Sequence, residues 1–448
     1  MKYKLSDIIE ICKGRLINGD SNLVCSTYSI DTRTLTKGDV YIGIKGENYD
    51  GGNFYKEALE KGATALIVNE DIPVDFQNYE NIPCVKVKDT TTALQTLAKD
   101  KRNKYNIPVI AVTGSVGKTS TKDMISKVLS TKYNVLKTEG NYNNEIGMPL
   151  TILRLENHNC MVLELGMNHL KEISLLTNIA RPTIAVITNI GTSHIGNLGS
   201  RENILKAKLE IIEGLSGSLI INNDNDLLHN FKDYNNIITI GIDNESNYTA
   251  KDISLTSTSA SFKVKDDIVT IPFASKPFIY NSLFAYAVGD ILNVYDKVLA
   301  LKNVSLSSSR LEKFKNKREV TIIDDTYNAS VDSMENALNI LSNYKNRKIA
   351  ILGDMLEIEG FEEKLHTKVG KIVAECNIDI LITIGNLSKF IASGATENGF
   401  NKQNIYTFTN LDDVYPLLDK ILQKDDVVLL KASHSMNFKK IVEYLKRI

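Results

Sequence analysis

Residues 107–120 read Ile107-Pro-Val-Ile-Ala-Val-Thr-Gly114-Ser-Val-Gly117-Lys-Thr-Ser120, and this stretch decides the fold. The unbroken apolar run up to Thr113 has the character of a strand buried on both faces. The glycines that follow let backbone N–H groups close around phosphate oxygens, and a helix expected over Lys122 to Leu129 adds its positive N-terminal end. Within Gly114, Ser115, Val116, Gly117, Lys118, Thr119 and Ser120, Lys118 can reach the β- and γ-phosphates. The Thr119 hydroxyl suits Mg²⁺. The pattern GxxxxGK[ST] would put glycine at 112, where this chain has Val112. Strand, loop and helix in that order nonetheless point to ATP.

Outward from this loop the same unit recurs. Apolar strands are expected at 107–113, 160–165, 183–190, 218–221 and 237–240, separated by helices, which argues for a parallel sheet covered on both sides. Thr/Ser-rich alternation over 250–273 reads as a short antiparallel meander, followed by a helix over 281–293. A second series starts near Arg310, with strands at 320–323, 348–352, 380–384 and 427–430. Each runs into a polar loop: Asp324–Asn328, Gly353–Met355, Gly385-Asn386 and Lys431–Ser435. Ligands of open parallel sheets sit beyond the carboxyl ends of strands, so these four loops are expected to share one crevice. Residues 1 to about 100 alternate short strands and helices as a smaller module. The expected fold is α/β in three domains: 1–100, 101–309 and 310–448.

The chain has 448 residues, 43% of them hydrophobic and 24% charged, in the range of folded proteins. Fifty-three Lys+Arg against 54 Asp+Glu give a net charge of -1, which offers no basic surplus for nucleic acid or an anionic membrane. The charge-free stretch Pro182 to Ser200 is rich in Thr, Asn and Gly and is no membrane span. The first residues carry no readable signal peptide. Five cysteines without close or zinc-type spacing fit a reducing cytoplasm.

Three further residues stand out. Glu164 lies in the apolar run Met161-Val-Leu-Glu-Leu-Gly166, where a carboxylate needs a metal or an ion pair. His194 follows the strand ending at Ile190 and is read as a metal ligand, an orienting group or a solvated side chain. In the helix Arg201 to Leu215, Leu205, Leu209 and Ile212 mark an apolar stripe that includes Lys208, while Lys206 lies on the polar face paired with Glu210. Burial disfavours an ammonium, so Lys208 is either a neutral amine able to take up CO2 as a carbamate or a snorkelling side chain.

Together, residues 113–120, Asn143-Asn-Glu-Ile-Gly147, Glu164-Leu-Gly-Met-Asn168 and Lys206-Ala-Lys208 resemble the central domain of the Mur ligases. Asp324-Asp-Thr-Tyr-Asn-Ala329, Leu352-Gly-Asp-Met-Leu-Glu357 and Lys431-Ala-Ser-His-Ser-Met436 extend the likeness to the C-terminal third, and Asp31-Thr-Arg33 with Gly38-Asp-Val40 to the N-terminal module. The resemblance implies a UDP-sugar module, a central ATPase and a Rossmann-like third domain. It implies that ATP activates the carboxylate of a UDP-muramoyl-tripeptide and that D-alanyl-D-alanine supplies the amine, in a cytoplasmic monomer. Lys118 and Thr119 then serve phosphates and Mg²⁺, Glu164 and His194 the metal sites, and a carbamylated Lys208 adds an anionic metal ligand. Asn281 contacts adenine, Arg310 the γ-phosphate and Asp325 the ribose. Asp31, Arg33, Asn143, Asn144, Tyr327 and Asn328 are the implied substrate contacts. The chain departs from the family at Gly52, Tyr280, Ser330-Val331, Ala432 and His434, which leaves a ligase with another acceptor, or a folylpolyglutamate-type ligase, as the alternatives.

Overall fold

The computed structural model describes residues 2–46, 49–77, 79–256, 258–306 and 310–448. Its centre is a seven-stranded, wholly parallel sheet. The order is Tyr248–Thr249, Ile237–Gly241, Ser218–Asn222, Ile184–Ile187, Val109–Thr113, Cys160–Glu164, Val135–Lys137. The strand that feeds the phosphate loop therefore lies between Ile184–Ile187 and Cys160–Glu164. Glu164 pairs with Val112 and Ile187 with Thr113, so three loops leave the sheet side by side at its carboxyl edge. All five residues of Val109–Thr113 are buried, as its apolar run requires. The meander forms as expected, from Lys251–Leu255, Ala260–Val264 and Asp267–Ile271.

The C-terminal sheet has six strands in the order Glu312–Lys315, Thr321–Asp324, Val427–Lys431, Lys348–Gly353, Ile380–Ile384, Ile405–Phe408. Only the edge strand Glu312–Lys315 is antiparallel. The N-terminal sheet has five: Arg15–Asn18, Cys84–Val87, Ala65–Asn69, Val40–Ile42 and Tyr28–Ser29. The helix Thr90–Asn103 leads from that module into the central one. Lys101 donates to Leu153 O and Arg102 to Ala180 O and Arg181 O, so two cations cap the carboxyl ends of the helices Gly147–Leu153 and Glu172–Ala180.

Several elements differ from the sequence reading. The phosphate-loop helix is Lys118–Leu129, starting four residues early because Gly117 takes a left-handed turn as its N-cap. The helix expected from 281 is Lys276–Ile291, with Pro277 in its first turn, so Asn281 lies inside it. The single helix expected over 201–215 is Arg201–Leu209 followed by a tight 3-10 segment, Glu210–Gly214. The strands Val135–Lys137, Glu312–Lys315 and Ile405–Phe408 carry no long apolar run to mark them in the sequence, since each is short and lies at a sheet edge. Among the described residues no helix is long and apolar enough to cross a membrane.

Candidate active site

The phosphate loop is shaped by what packs behind it. Gly114 has φ +146°, and a Cβ there would collide with the Thr188 hydroxyl. Asn189 Oδ1 accepts from the N–H groups of Ser115 (3.1 Å) and Val116 (3.0 Å), fixing the turn. Lys118 Nζ folds back over its own loop to donate to Gly114 O (2.8 Å) and Ser115 O (3.3 Å). Burial pulls its pKa down, with Glu164 nearby opposing that shift.

Glu164 is 2% exposed and accepts from Thr119 Oγ1 at 2.8 Å and Asn143 Nδ2 at 3.0 Å. It forms no ion pair among the described residues, so the salt-bridge reading does not hold. A buried carboxylate held by neutral donors, with a hydroxyl beside it, is the oxygen-rich setting that suits a hard divalent cation. These residues fit Mg²⁺. His194 adopts a left-handed conformation (φ +64°), with Nδ1 2.9 Å from Glu357 Oε2 but off the line of a straight hydrogen bond.

Lys208 is 1% exposed and its pKa lies well below the ordinary lysine value, through burial and then the charge of Lys118. The snorkelling reading fails, because the side chain does not reach water. The stripe itself needs correction: the buried face is Ile204, Ala207, Lys208 and Ile211, while Leu205, Leu209 and Ile212 are half-buried on its flank. Lys206 is exposed as expected. Its expected partner Glu210 is buried and accepts instead from the N–H groups of Lys171 (2.8 Å) and Ser174 (3.1 Å), capping the helix Glu172–Ala180.

From the C-terminal module, the Arg310 guanidinium lies 4.0 Å from the centre of the Tyr327 ring. Asp325 is ion-paired with Lys431 Nζ at 2.5 Å, and Lys431 also donates to Asn328 O at 2.9 Å. Burial pushes the Asp325 carboxyl up, opposed by Lys431. The sequence reading gave Lys431 no role, although a charge ending the apolar strand Val427–Lys431 is the same signal that singled out Glu164.

Loop residues 115–120, Glu164 with Asn143, His194 with Glu357, and Arg310, Asp325, Tyr327, Asn328 and Lys431 line one crevice of about 1500 Å³ between the central and C-terminal modules, whereas Gly114, Lys208 and Glu210 are not part of its lining. Asn281 lies in it, its Oδ1 accepting from Thr121 Oγ1 at 3.1 Å. Asn144 also lies in it, though its Oδ1 is committed to capping the helix Gly147–Leu153 through Gly147 N. Of the four expected C-terminal loops, Asp324–Asn328 and Lys431–Ser435 line it, while Gly353–Met355 reaches it only through the two residues that follow, Leu356 and Glu357. Gly385-Asn386 does not contribute, because the N–H groups of Asn386, Leu387 and Ser388 close onto the Asp354 carboxylate. Asp31 and Arg33 lie outside the crevice and pair with each other at 2.7 Å, with the Arg33 side chain 85% exposed. Tyr280 donates to Asp224 Oδ2 at 2.8 Å on the crevice wall. Gly52 packs where a Cβ would press on the Ile72 side chain, so a larger residue there would have to displace it.

A phosphate loop, a buried acidic partner and a second α/β module across one crevice define a nucleotide-dependent ligase, and the chain belongs to the Mur ligase family. The Mur ligase middle domain matches residues 112–289, the Mur ligase glutamate ligase domain 309–434, and the Mur ligase family catalytic domain 25–102. Among individual proteins, it is similar to the UDP-N-acetylmuramoyl-tripeptide–D-alanyl-D-alanine ligase of Bacillus subtilis, with 38% identity covering 99% of this chain and 98% of that one. The enzyme of the same name from Escherichia coli is 33% identical over the same shares. MurF from Acinetobacter baumannii superposes with a TM-score of 0.90 at 28% identity, over 100% of this chain and 99% of that one. MurF from Thermotoga maritima in complex with ADP does so at 0.81 and 26%, over 94% and 97%.

Proposed function

We propose that this protein is an ATP-dependent amide ligase that joins D-alanyl-D-alanine to UDP-N-acetylmuramoyl-tripeptide in peptidoglycan precursor synthesis. A carboxylate resists attack by an amine until one oxygen becomes a leaving group. The γ-phosphoryl group of ATP is therefore transferred to the terminal carboxylate of the tripeptide, giving an acyl phosphate and ADP. The amine of the dipeptide then attacks the acyl carbon, the C–O bond to phosphate breaks, and the amine proton is released. The products are the amide, ADP and phosphate.

The observation that carries this reading is the Thr119–Glu164 contact at the mouth of the phosphate loop, facing Arg310 across the crevice. Lys118 and the loop N–H groups hold the β- and γ-phosphates, and Arg310, braced on Tyr327, meets the γ-phosphate from the other module. Thr119, Glu164 and His194 are the groups suited to hold magnesium, which when bound neutralises phosphate charge. Lys208 carries a carbamate, formed from its neutral amine and CO2 with loss of one proton. Asn281 faces adenine, and Asp325, held by Lys431, faces the ribose. Asn143, Asn144, Tyr327 and Asn328 serve the peptide substrates, and Asp31 with Arg33 serves the UDP end. Modules divided near residues 100 and 309 act together in a cytoplasmic monomer.

The test is ADP release with UDP-muramoyl-tripeptide and a panel of amines. Turnover that needs both the UDP-linked donor and D-alanyl-D-alanine supports the reading, and equal phosphate release without the donor ends it. Preference for another amine would assign the changes at Tyr280, Ala432 and His434 to a different acceptor.

A further inference from the structure

The loop that follows the C-terminal strand Lys348–Gly353 is pinned at nearly every position. The Asp354 carboxylate accepts from three successive N–H groups at 386–388, and Asp354 O accepts from Ser433 N. Met355 N donates to His366 Nε2 at 2.9 Å, and Leu356 N donates to Ser433 Oγ at 2.9 Å. His366 is fully buried, and its Nδ1 faces Glu362 O at 2.7 Å. Because Nε2 accepts an amide proton, the Nδ1–H tautomer is the one this network selects.

This anchoring delivers Glu357 in a left-handed conformation (φ +62°) to His194, itself left-handed (φ +64°) on the opposite module. Non-glycine residues rarely hold that conformation, and here two face each other across a domain border. The loops interlock on either side of the pair. Thr192 N donates to Asp332 Oδ2 at 3.3 Å, and Gly191 and Gly196 lie where a Cβ would strike Asp332 and Glu359 respectively. Glu357 also lies within electrostatic reach of Lys118.

We propose that Glu357 is a positioning residue for the ligation reaction. Supplied by the C-terminal module, it engages Nδ1 of His194 and leaves Nε2 as the ring nitrogen presented to the phosphate end of the crevice. The proposal rests on the ligase reading above. It makes His194 competent only when the two modules are packed together, because its orienting carboxylate belongs to the other one. A histidine that works through one nitrogen is commonly oriented by a carboxylate on the other.

The test combines a spectroscopic and a kinetic readout on the full chain. With the six histidines labelled with ¹⁵N, His194→Gln assigns the His194 signals. Wild-type His194 should be the Nδ1–H tautomer at alkaline pH and should shift toward Nε2–H in Glu357→Ala, while Glu357→Gln, which still accepts a hydrogen bond, should keep Nδ1–H. Loss of such an orienting partner lowers turnover about 10- to 100-fold. Glu357→Ala should show that loss in kcat with little change in KM for ATP, and Glu357→Gln should restore most of it. Combined with His194→Ala, Glu357→Ala should add no further loss, as coupled residues do. An unchanged tautomer in Glu357→Ala, or losses that multiply, would overturn the proposal. The tautomer readout needs no UDP-linked substrate, so it stands even where wild-type protein fails to ligate and the function reading falls.

Discussion

Thr119 and Glu164, 45 residues apart, meet through a 2.8 Å hydrogen bond from the threonine hydroxyl to the buried carboxylate. The pairing of Glu164 with Val112 on neighbouring strands places the carboxylate beside the loop that carries Thr119. Phosphate loop and acidic partner thus form one site, and what each contributes can be separated by substitution.

Lys118→Ala should reduce ligation about 10²- to 10³-fold, corresponding to ~3–4 kcal/mol of lost transition-state stabilisation. The lysine caps two carbonyls of its own loop, so the variant should still fold. Steady-state kinetics together with a thermal melt checks both points, and near-normal kcat would remove Lys118 from the chemistry.

Gly114→Ala should destabilise the protein by about 1–3 kcal/mol, as overpacking of a filled site does. The new methyl group would meet the Thr188 hydroxyl, which now donates to Val116 O at 2.6 Å. Nucleotide binding should weaken more than global stability, since that contact shapes the loop. Calorimetric unfolding with and without ATP separates the two effects.

Lys208→Ala and Lys206→Ala should diverge. Lys208 is buried beside the charge of Lys118 with its ammonium disfavoured, whereas Lys206 is exposed. The first variant should lose activity, part of it recoverable with a small carboxylic acid. The second should stay close to wild type. Equal and mild effects in parallel assays would leave Lys208 as a packing residue only.

Tyr280→Phe should flatten the pH dependence of stability at both extremes. Burial and the bond to Asp224 raise the Tyr280 hydroxyl above its ordinary value of 10.0, so its contribution is present below that pH and fades as pH rises beyond it. For Asp224, burial pushes up, but the N–H groups of Asp243, Ile242 and Asn244 and the Tyr280 hydroxyl together bring it below its ordinary 3.8. Its contribution is present above that pH and is lost as pH falls through the lowered value. Melting temperatures of both proteins across pH should converge toward the extremes, and parallel curves would contradict the assignment.

The parallel core was legible because strands such as Val109–Thr113 are apolar throughout, and continuous apolar runs need no partner to be recognised. The phosphate loop was legible for a similar reason, since its chemistry is local. Lys208 was located by helical period, yet the buried face is one residue round from the stripe that Leu205, Leu209 and Ile212 suggested. Period alone fixes spacing, and only the packing of Ile204, Ala207 and Ile211 against the core fixes phase. Lys431 and Glu357 sat inside quoted motifs without a role because their partners, Asp325 and His194, lie 106 and 163 residues away.

The sequence by itself therefore determined the α/β class, the glycine-rich loop between strand and helix, and the buried charges that break apolar runs, such as Glu164, all properties of residues and their near neighbours. Tertiary structure alone decided which of those groups meet. It closed Gly385-Asn386 onto Asp354, turned Glu210 from a surface partner of Lys206 into a helix cap, and set Glu357 against His194. Those outcomes depend on strand order and on packing between modules, where a shift of one strand would change the partners of every loop at the sheet's carboxyl edge.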